Sequence, residues 1–237
     1  MDHIEPSFSR PLNDGRIAHV IATDRSHGDL SVGSAPGRLD QHRRCIVDAP
    51  WVWFHQVHGA SVVTVAAPGE GAGQEADAGC TRCSDAPIAV QVADCAPVAF
   101  IDPAGVVGVA HAGWRGLMAG VLERTVEAMV DMGASAPVAI IGPCIRPDAY
   151  EFGQAELDAT VAAIGPTVRS VTAQGTPALD IPAGVSAVLD RMGVELVADI
   201  GSCTAADPAR RWSHRARGDR GRQALVVWIG DDGGGQT

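Results

Sequence analysis

Three side chains that suit a metal ion stand at strand ends or turns of this chain: His58 in the string QVHG, Cys95 in ADC and His111 in HAGWRG. Imidazole and thiolate together match the preferences of zinc, and three protein ligands leave a fourth position open for water or substrate. An open position separates a catalytic zinc from a structural one. Spacing alone also accommodates a plainer reading, in which each residue is a buried or turn side chain with no ligand. The same donors accept copper. A blue-copper site, however, wants a weak axial ligand such as Met, and none of the five Met residues neighbours one of the three. Zinc is therefore the expected ion and copper the less favoured one. Asp94, beside Cys95, is a candidate proton carrier, provided that residues 93–95 are not regular strand, which would turn it away from Cys95. Gln56 and Asp77 are candidates to orient ligands or substrate, or else an ordinary strand Gln and turn Asp.

Arginine supplies the whole positive charge: all 18 basic residues are Arg. This excludes a Schiff-base lysine and a phosphate-binding P-loop lysine. Any anion must be held by Arg or by backbone amides. In HAGWRG a strand ends, glycines flank Trp114-Arg115 and a helix is expected to follow, so free backbone N–H groups and Arg115 suit an anion. The glycines have a simpler use as well, in the dihedral angles of a tight turn. Arg210, Arg211, Arg215, Arg217, Arg220 and Arg222 form a second basic group near the C-terminus, readable as an anion contact or as a solvated loop.

The elements that must position these residues are legible from periodicity. The 237 residues carry 46% hydrophobic and 19% charged side chains, an ordinary globular mixture. A net charge of −10 argues against nucleic acid or an anionic membrane surface as partner. The N-terminal stretch has no apolar signal core, and six scattered cysteines fit reduced thiols and a cytoplasmic location. Residues 24–44 read as loop. Residues 50–69 read as two strands around a turn at His58-Gly59. Three strands are expected over 86–95, 96–102 and 105–111, one amphipathic helix over 116–134, and a strand over 138–145. Helices at 153–164 and 182–192 and strands at 194–200 and 224–230 follow. Strands cluster without strict alternation with helices, which favours an α+β fold with mixed sheets. One domain over residues 1–230 and a disordered Gly-rich tail at 231–237 are expected.

The strings HQVHG (55–59), DAGCT (77–81), ADCAPV (93–98), GVAHAGWRG (108–116), IGPCI with YEFG (141–153) and SHR with GRQ (213–223) occur in this order. In them the chain resembles the YfiH/laccase-domain family, also called multicopper polyphenol oxidase domain proteins, from residue 55 to about residue 230. The resemblance implies a layered α/β sandwich and a zinc site on His58, Cys95 and His111. It implies phosphorolysis of adenosine, inosine and methylthioadenosine, deamination of adenosine, and nucleoside and phosphate as partners. Amide hydrolysis on a muramyl peptidoglycan precursor, with Cys95 and His111 as the reactive pair, is the alternative. Arg215 and Arg222 match the family's S-x-R-R-D-G-x-T-G-R string as anion contacts, whereas Ala216 and Arg217 depart from it. That departure is the one support for a third class, an interaction protein with a degraded site.

Several motifs are decoys. Cys80-Thr81-Arg82-Cys83 has no second C-x-x-C pair and no surrounding βαβ unit. The run GEGAGQ (69–74) fails the dinucleotide fingerprint at Gln74. The zinc-deaminase pattern is absent, because Pro143-Cys144 has no following partner cysteine.

Overall fold

The computed structural model describes residues 5–230; the tail expected at 231–237 lies outside them. In chain order the elements are β1 (Phe8–Pro11), β2 (Ile17–Ala22), α1 (Pro36–Ile46), β3 (Val52–Trp53), β4 (Val62–Val65), β5 (Ala78–Thr81), β6 (Ile88–Val92), β7 (Ala96–Asp102), β8 (Val106–Ala112), α2 (Trp114–Met118) and α3 (Val121–Asp131). Then come β9 (Val138–Ile141), α4 (Gln154–Ile164), β10 (Arg169–Val171), β11 (Pro177–Leu179), α5 (Ile181–Met192), β12 (Glu195–Asp199), α6 (His214–Arg217) and β13 (Gln223–Gly230).

Two mixed sheets result. One runs β1-β2-β13-β6-β3 and the other β12-β9-β7-β8-β5-β4, while β10 and β11 form a separate ribbon. The continuous apolar runs explain the layering, because strands buried on both faces need no alternation. Phe54, Ile88, Val90, Leu225 and Val227 of the first sheet's side pack against Ala99, Ile101, Val107, Val109 and Ile140 of the second. The other face of the six-stranded sheet is covered by α2–α5 through Leu117, Val121, Leu122, Leu157, Val185 and Leu189. Leu39 of α1, with Leu30 and Trp51, covers the outer face of the five-stranded sheet over Ile21, Ala89 and Val226. The result is the single-domain α+β sandwich expected. Fully burying one of these large aliphatic or aromatic side chains stabilises the fold by about 1.5–3 kcal/mol.

Several local expectations need correction. The strands around His58-Gly59 are not a hairpin: β3 pairs with β6 in one sheet and β4 with β5 in the other, so residues 54–61 cross between sheets. Residues 24–44 are not all loop, since α1 forms there with Leu39, His42, Arg43 and Ile46 toward its covered side. The helix after HAG is two helices, broken where Gly120 adopts φ 83, a left-handed conformation that glycine tolerates without Cβ strain. Val130 of α3 is exposed in spite of its apolar side chain. The strand from 138 stops at Ile141, and β6 stops at Val92, so residues 93–95 are a turn.

Candidate functional site

His58 lies on the crossing from β3 to β4, Cys95 on the crossing from β6 to β7, and His111 near the end of β8. Their ligand atoms lie within 4.8 Å of one another. His58 Nε2 is 3.8 Å from Cys95 Sγ, and the two imidazole centroids are 4.8 Å apart in an edge-on arrangement. His58 is exposed, Cys95 half-buried and His111 buried. Two of the three neighbourhoods carry unusual backbone: His58 has φ 61 and Asp94 has φ 114. Strain of this kind persists only where the surroundings fix it.

Asp77 does much of that fixing. Its carboxylate is fully buried and accepts from the backbone N–H groups of Val57 at 3.1 Å, His58 at 2.9 Å and Gly59 at 2.7 Å. His111 Nδ1 lies 2.8 Å from Asp77 Oδ1. A carboxylate on Nδ1 assigns the proton there and leaves Nε2 free to ligate. Burial raises the Asp77 pKa, but the bonds from His111 and the backbone outweigh it and hold the group below its ordinary value. Burial likewise opposes ionisation of Cys95, yet His111 and His58 beside it bring the thiol down. Burial lowers His111, while Cys95 and Asp77 together raise it above the usual imidazole range. The donor set, its mutual distances and the carboxylate behind His111 fit a metal ion of the zinc type.

Glycine in HAGWRG serves close approach. Gly113 has φ −72, which any residue adopts, but a Cβ there would lie 3.0 Å from His58 Cδ2 and 3.1 Å from Cys95 Sγ. The tight-turn explanation is therefore replaced by one of space.

The group lies on the wall of a cavity of about 840 Å³. Gln56 and Arg115, predicted from sequence, line it, as do Asp94, Arg215 and Arg222. Asp77 does not; it sits behind the histidines. The Gln56 side chain is bound to the main chain of Gln91, donating to its carbonyl at 2.9 Å and accepting from its N–H at 2.7 Å. Both Asp94 oxygens are engaged: Thr204 Oγ1 donates to Oδ1 at 2.7 Å and Arg215 N to Oδ2 at 2.6 Å. The Arg115 guanidinium lies 4.2 Å from the Trp114 ring centroid and that of Arg215 lies 4.8 Å from Tyr150. Arg222 donates to the carbonyls of Asp219, Arg220 and Gly221.

Sequence reasoning missed Tyr150, His214, Asp29 and the loop from Ser31 to Ser34, all of which line the cavity, as does Arg220 of the C-terminal basic group. Asp29 Oδ1 accepts from Arg222 N at 3.0 Å, a long-range pairing with no local sequence signal. At the departures from the family string, Arg217 does not line the cavity. It donates to Asp219 at 3.0 Å and to the carbonyls of Ala205, Thr204 and Arg211, so this arginine braces the segment.

Fold and site thus define a single-domain α+β sandwich protein with a His/Cys/His group able to hold a metal, set in an arginine-rimmed cavity. Residues 27–230 match the family model described as multi-copper polyphenol oxidoreductase laccase, and the chain belongs to that family. A purine nucleoside phosphorylase of Streptomyces coelicolor is 40% identical over 233 residues, covering 90% of this chain and 96% of that protein. One of Mycobacterium tuberculosis is 38% identical over 181 residues, covering 75% and 72%. The crystal structure of Neisseria meningitidis protein NMB0706 superposes with a TM-score of 0.78 at 29% identity, covering 94% of this chain and 98% of that one. Among the described residues, no helix is long and apolar enough to cross a membrane.

Proposed function

We propose that this chain is a zinc-dependent purine nucleoside phosphorylase acting on adenosine, inosine and methylthioadenosine, and that it also deaminates adenosine. The observation that carries this reading is one cavity that joins His58, Cys95 and His111 to Arg115, Arg215, Arg220 and Arg222. The names of the similar bacterial proteins support it. When bound to the three ligands, zinc supplies Lewis acidity and an open coordination position.

The remaining work falls to the chain. Arg115, Arg215 and Arg222 grip phosphate through charge-assisted hydrogen bonds. Trp114, Tyr150 and Phe54, which line the same cavity, offer aromatic surface to a purine. In phosphorolysis a phosphate oxygen bonds to C1′ as the C1′–N9 bond breaks and the base leaves with the electron pair. Holding phosphate and sugar in register is therefore the main requirement. Asp77 keeps His111 oriented. Asp94 takes a positioning role, fixing the main chain of Arg215, in place of the proton-carrier role that its place beside Cys95 suggests.

The Cys95–His111–Asp77 alignment favours a second reading, amide hydrolysis on a muramyl-peptide precursor. There the Cys95 thiolate attacks the carbonyl carbon. His111 gives its proton to the departing amine as the C–N bond breaks, and water then cleaves the thioester.

One paired assay on purified protein, with metal content measured in wild type and Cys95→Ala, tests both. The first reading expects bound zinc, adenine and ribose 1-phosphate from adenosine with phosphate, hypoxanthine from inosine, and inosine from deamination. An amino acid released from a muramyl-peptide analogue marks the second reading. Zinc-loaded protein that turns over neither substrate overturns both, and copper in place of zinc overturns the metal assignment.

A further inference from the structure

Arg43 presents an unusual combination of burial and isolation. It is only 8% exposed, on the covered side of α1, with its guanidinium carbon 5.0 Å from the Trp53 ring centroid and 5.9 Å from that of Trp51. Nη2 is sealed from solvent without a hydrogen-bond partner. Arg211, comparably buried, donates to the Thr23 carbonyl at 2.6 Å, although its Nε also lacks a partner. Among the described residues no carboxylate forms an ion pair with Arg43, and a buried charge without such a partner is costly to keep. Burial pulls its pKa down to about 10, with Asp40 offsetting only part of the effect.

The residue lines a cleft of about 430 Å³ together with Asp40, Arg44, Asp48, Trp51 and Trp53. None of these residues lines the larger cavity. The local charges indicate what fits. Arg44 is matched by Asp48 at 3.5 Å, and Asp40 on the rim disfavours a multiply charged ligand. The guanidinium fork suits a planar carboxylate, and indole surfaces accept a flat ring by stacking.

We propose that Arg43, Trp51 and Trp53 form a second ligand site, separate from the metal-holding cavity, that binds a small aromatic carboxylate with its carboxylate on Arg43 and its ring against the indoles. The site is independent of the reaction assigned above, so it is tested by binding and not by turnover.

The probe is benzoate, titrated calorimetrically and by tryptophan fluorescence into the full zinc-loaded chain, with inorganic phosphate in parallel. Saturable benzoate binding is expected. Arg43→Met, which keeps the aliphatic stem, is expected to weaken it at least tenfold, and Asp40→Asn to tighten it severalfold. Phosphate is expected to bind more weakly than benzoate here and not to displace it. Circular dichroism establishes that Arg43→Met is folded. If that variant fails to fold, Arg43→Lys, which keeps the charge but loses the planar fork, decides by the same weakening. Absence of saturable benzoate binding, equal affinity in folded Arg43→Met, unchanged affinity in Asp40→Asn, or displacement by adenosine or phosphate would each overturn the proposal.

Discussion

Asp77 and His111 are joined twice. The imidazole Nδ1 of His111 meets the Asp77 carboxylate at 2.8 Å, and the His111 main-chain N–H donates to the Asp77 carbonyl at 2.7 Å. The same carboxylate gathers the three N–H groups of the His58 turn. One buried acid therefore sets the positions of two of the three candidate ligands. Asp77→Ala would leave these donors without their buried acceptor. A loss of about 3 kcal/mol or more is expected in chemical denaturation, since each unsatisfied buried group costs about 1–3 kcal/mol. Asp77→Asn is expected to fold better yet bind zinc roughly 10–100-fold more weakly, as read by competition with a chromophoric chelator.

Cys95 is expected to be the reactive thiol of the metal-free chain, because His111 and His58 draw its pKa down while burial pushes Cys80 to about 11 and Cys144 to about 12. Alkylation by iodoacetamide at neutral pH, followed by mass spectrometry, should label Cys95 well ahead of those two. Zinc should suppress that labelling. Rapid labelling of Cys95 in zinc-saturated protein would argue against its place among the ligands.

Gly113→Ala offers a test that leaves every ligand in the chain. The new methyl would press on His58 Cδ2 and Cys95 Sγ at 3.0 and 3.1 Å. Zinc affinity is expected to fall at least tenfold, and the melting temperature of the metal-free protein to change by only a few degrees.

Asp94→Ala frees the Arg215 main chain and the Thr204 hydroxyl. If phosphate is gripped by Arg215, KM for phosphate should rise at least tenfold while zinc content stays at the wild-type level. A fall confined to kcat, with a shifted pH profile, would instead return Asp94 to proton transfer.

Asp24 fastens the basic segment to the start of the chain. It accepts from Arg210 Nε at 3.0 Å and from Ser26 N at 3.0 Å, and Arg25 N donates to the Arg210 carbonyl at 2.9 Å. Burial works to raise its pKa, but the bonds from Ser26, Arg210 and His27 outweigh it and hold the carboxyl far below the usual range. A depressed carboxylate contributes stability in full above its unfolded pKa, near 4, and loses it as pH falls through the folded value. Asp24→Asn should therefore be less stable than wild type at pH 7, and the gap should narrow progressively as pH falls below about 4. Urea denaturation at stepped pH measures it.

Much of this architecture was legible where one period persists. The β7–β8 hairpin, α4, α5 and β13 all follow from apolar runs or spacing with turn residues between them. α1 was not, because PGRLDQHRRCI has almost no apolar stripe; its covered side includes an arginine lying against two indoles. β3 and β4 read as two strands around one turn because they are adjacent in sequence, and nothing local says that a chain will change sheets between them. In the site, residue type and position left the three candidate ligands beside a plainer reading as buried or turn side chains; the resemblance carried by QVHG, ADC and HAGWRG singled them out. Asp77 was named only as one option among several. The bonds joining Asp29 to Arg222 and Asp94 to Thr204 span 193 and 110 positions, beyond the reach of any periodicity.

His58 and Cys95 each sit where the chain passes from the five-stranded sheet to the six-stranded one. An ion held between them and His111 would tie two such passages together and act as a rivet through the sandwich. Loading the site and resisting unfolding then become one quantity measured in two ways, because a ligand bound only by the folded state stabilises it by mass action. At free zinc 100 times its dissociation constant the gain is about 2.7 kcal/mol. A cell short of the metal would accordingly have less of this protein intact as well as less of it active.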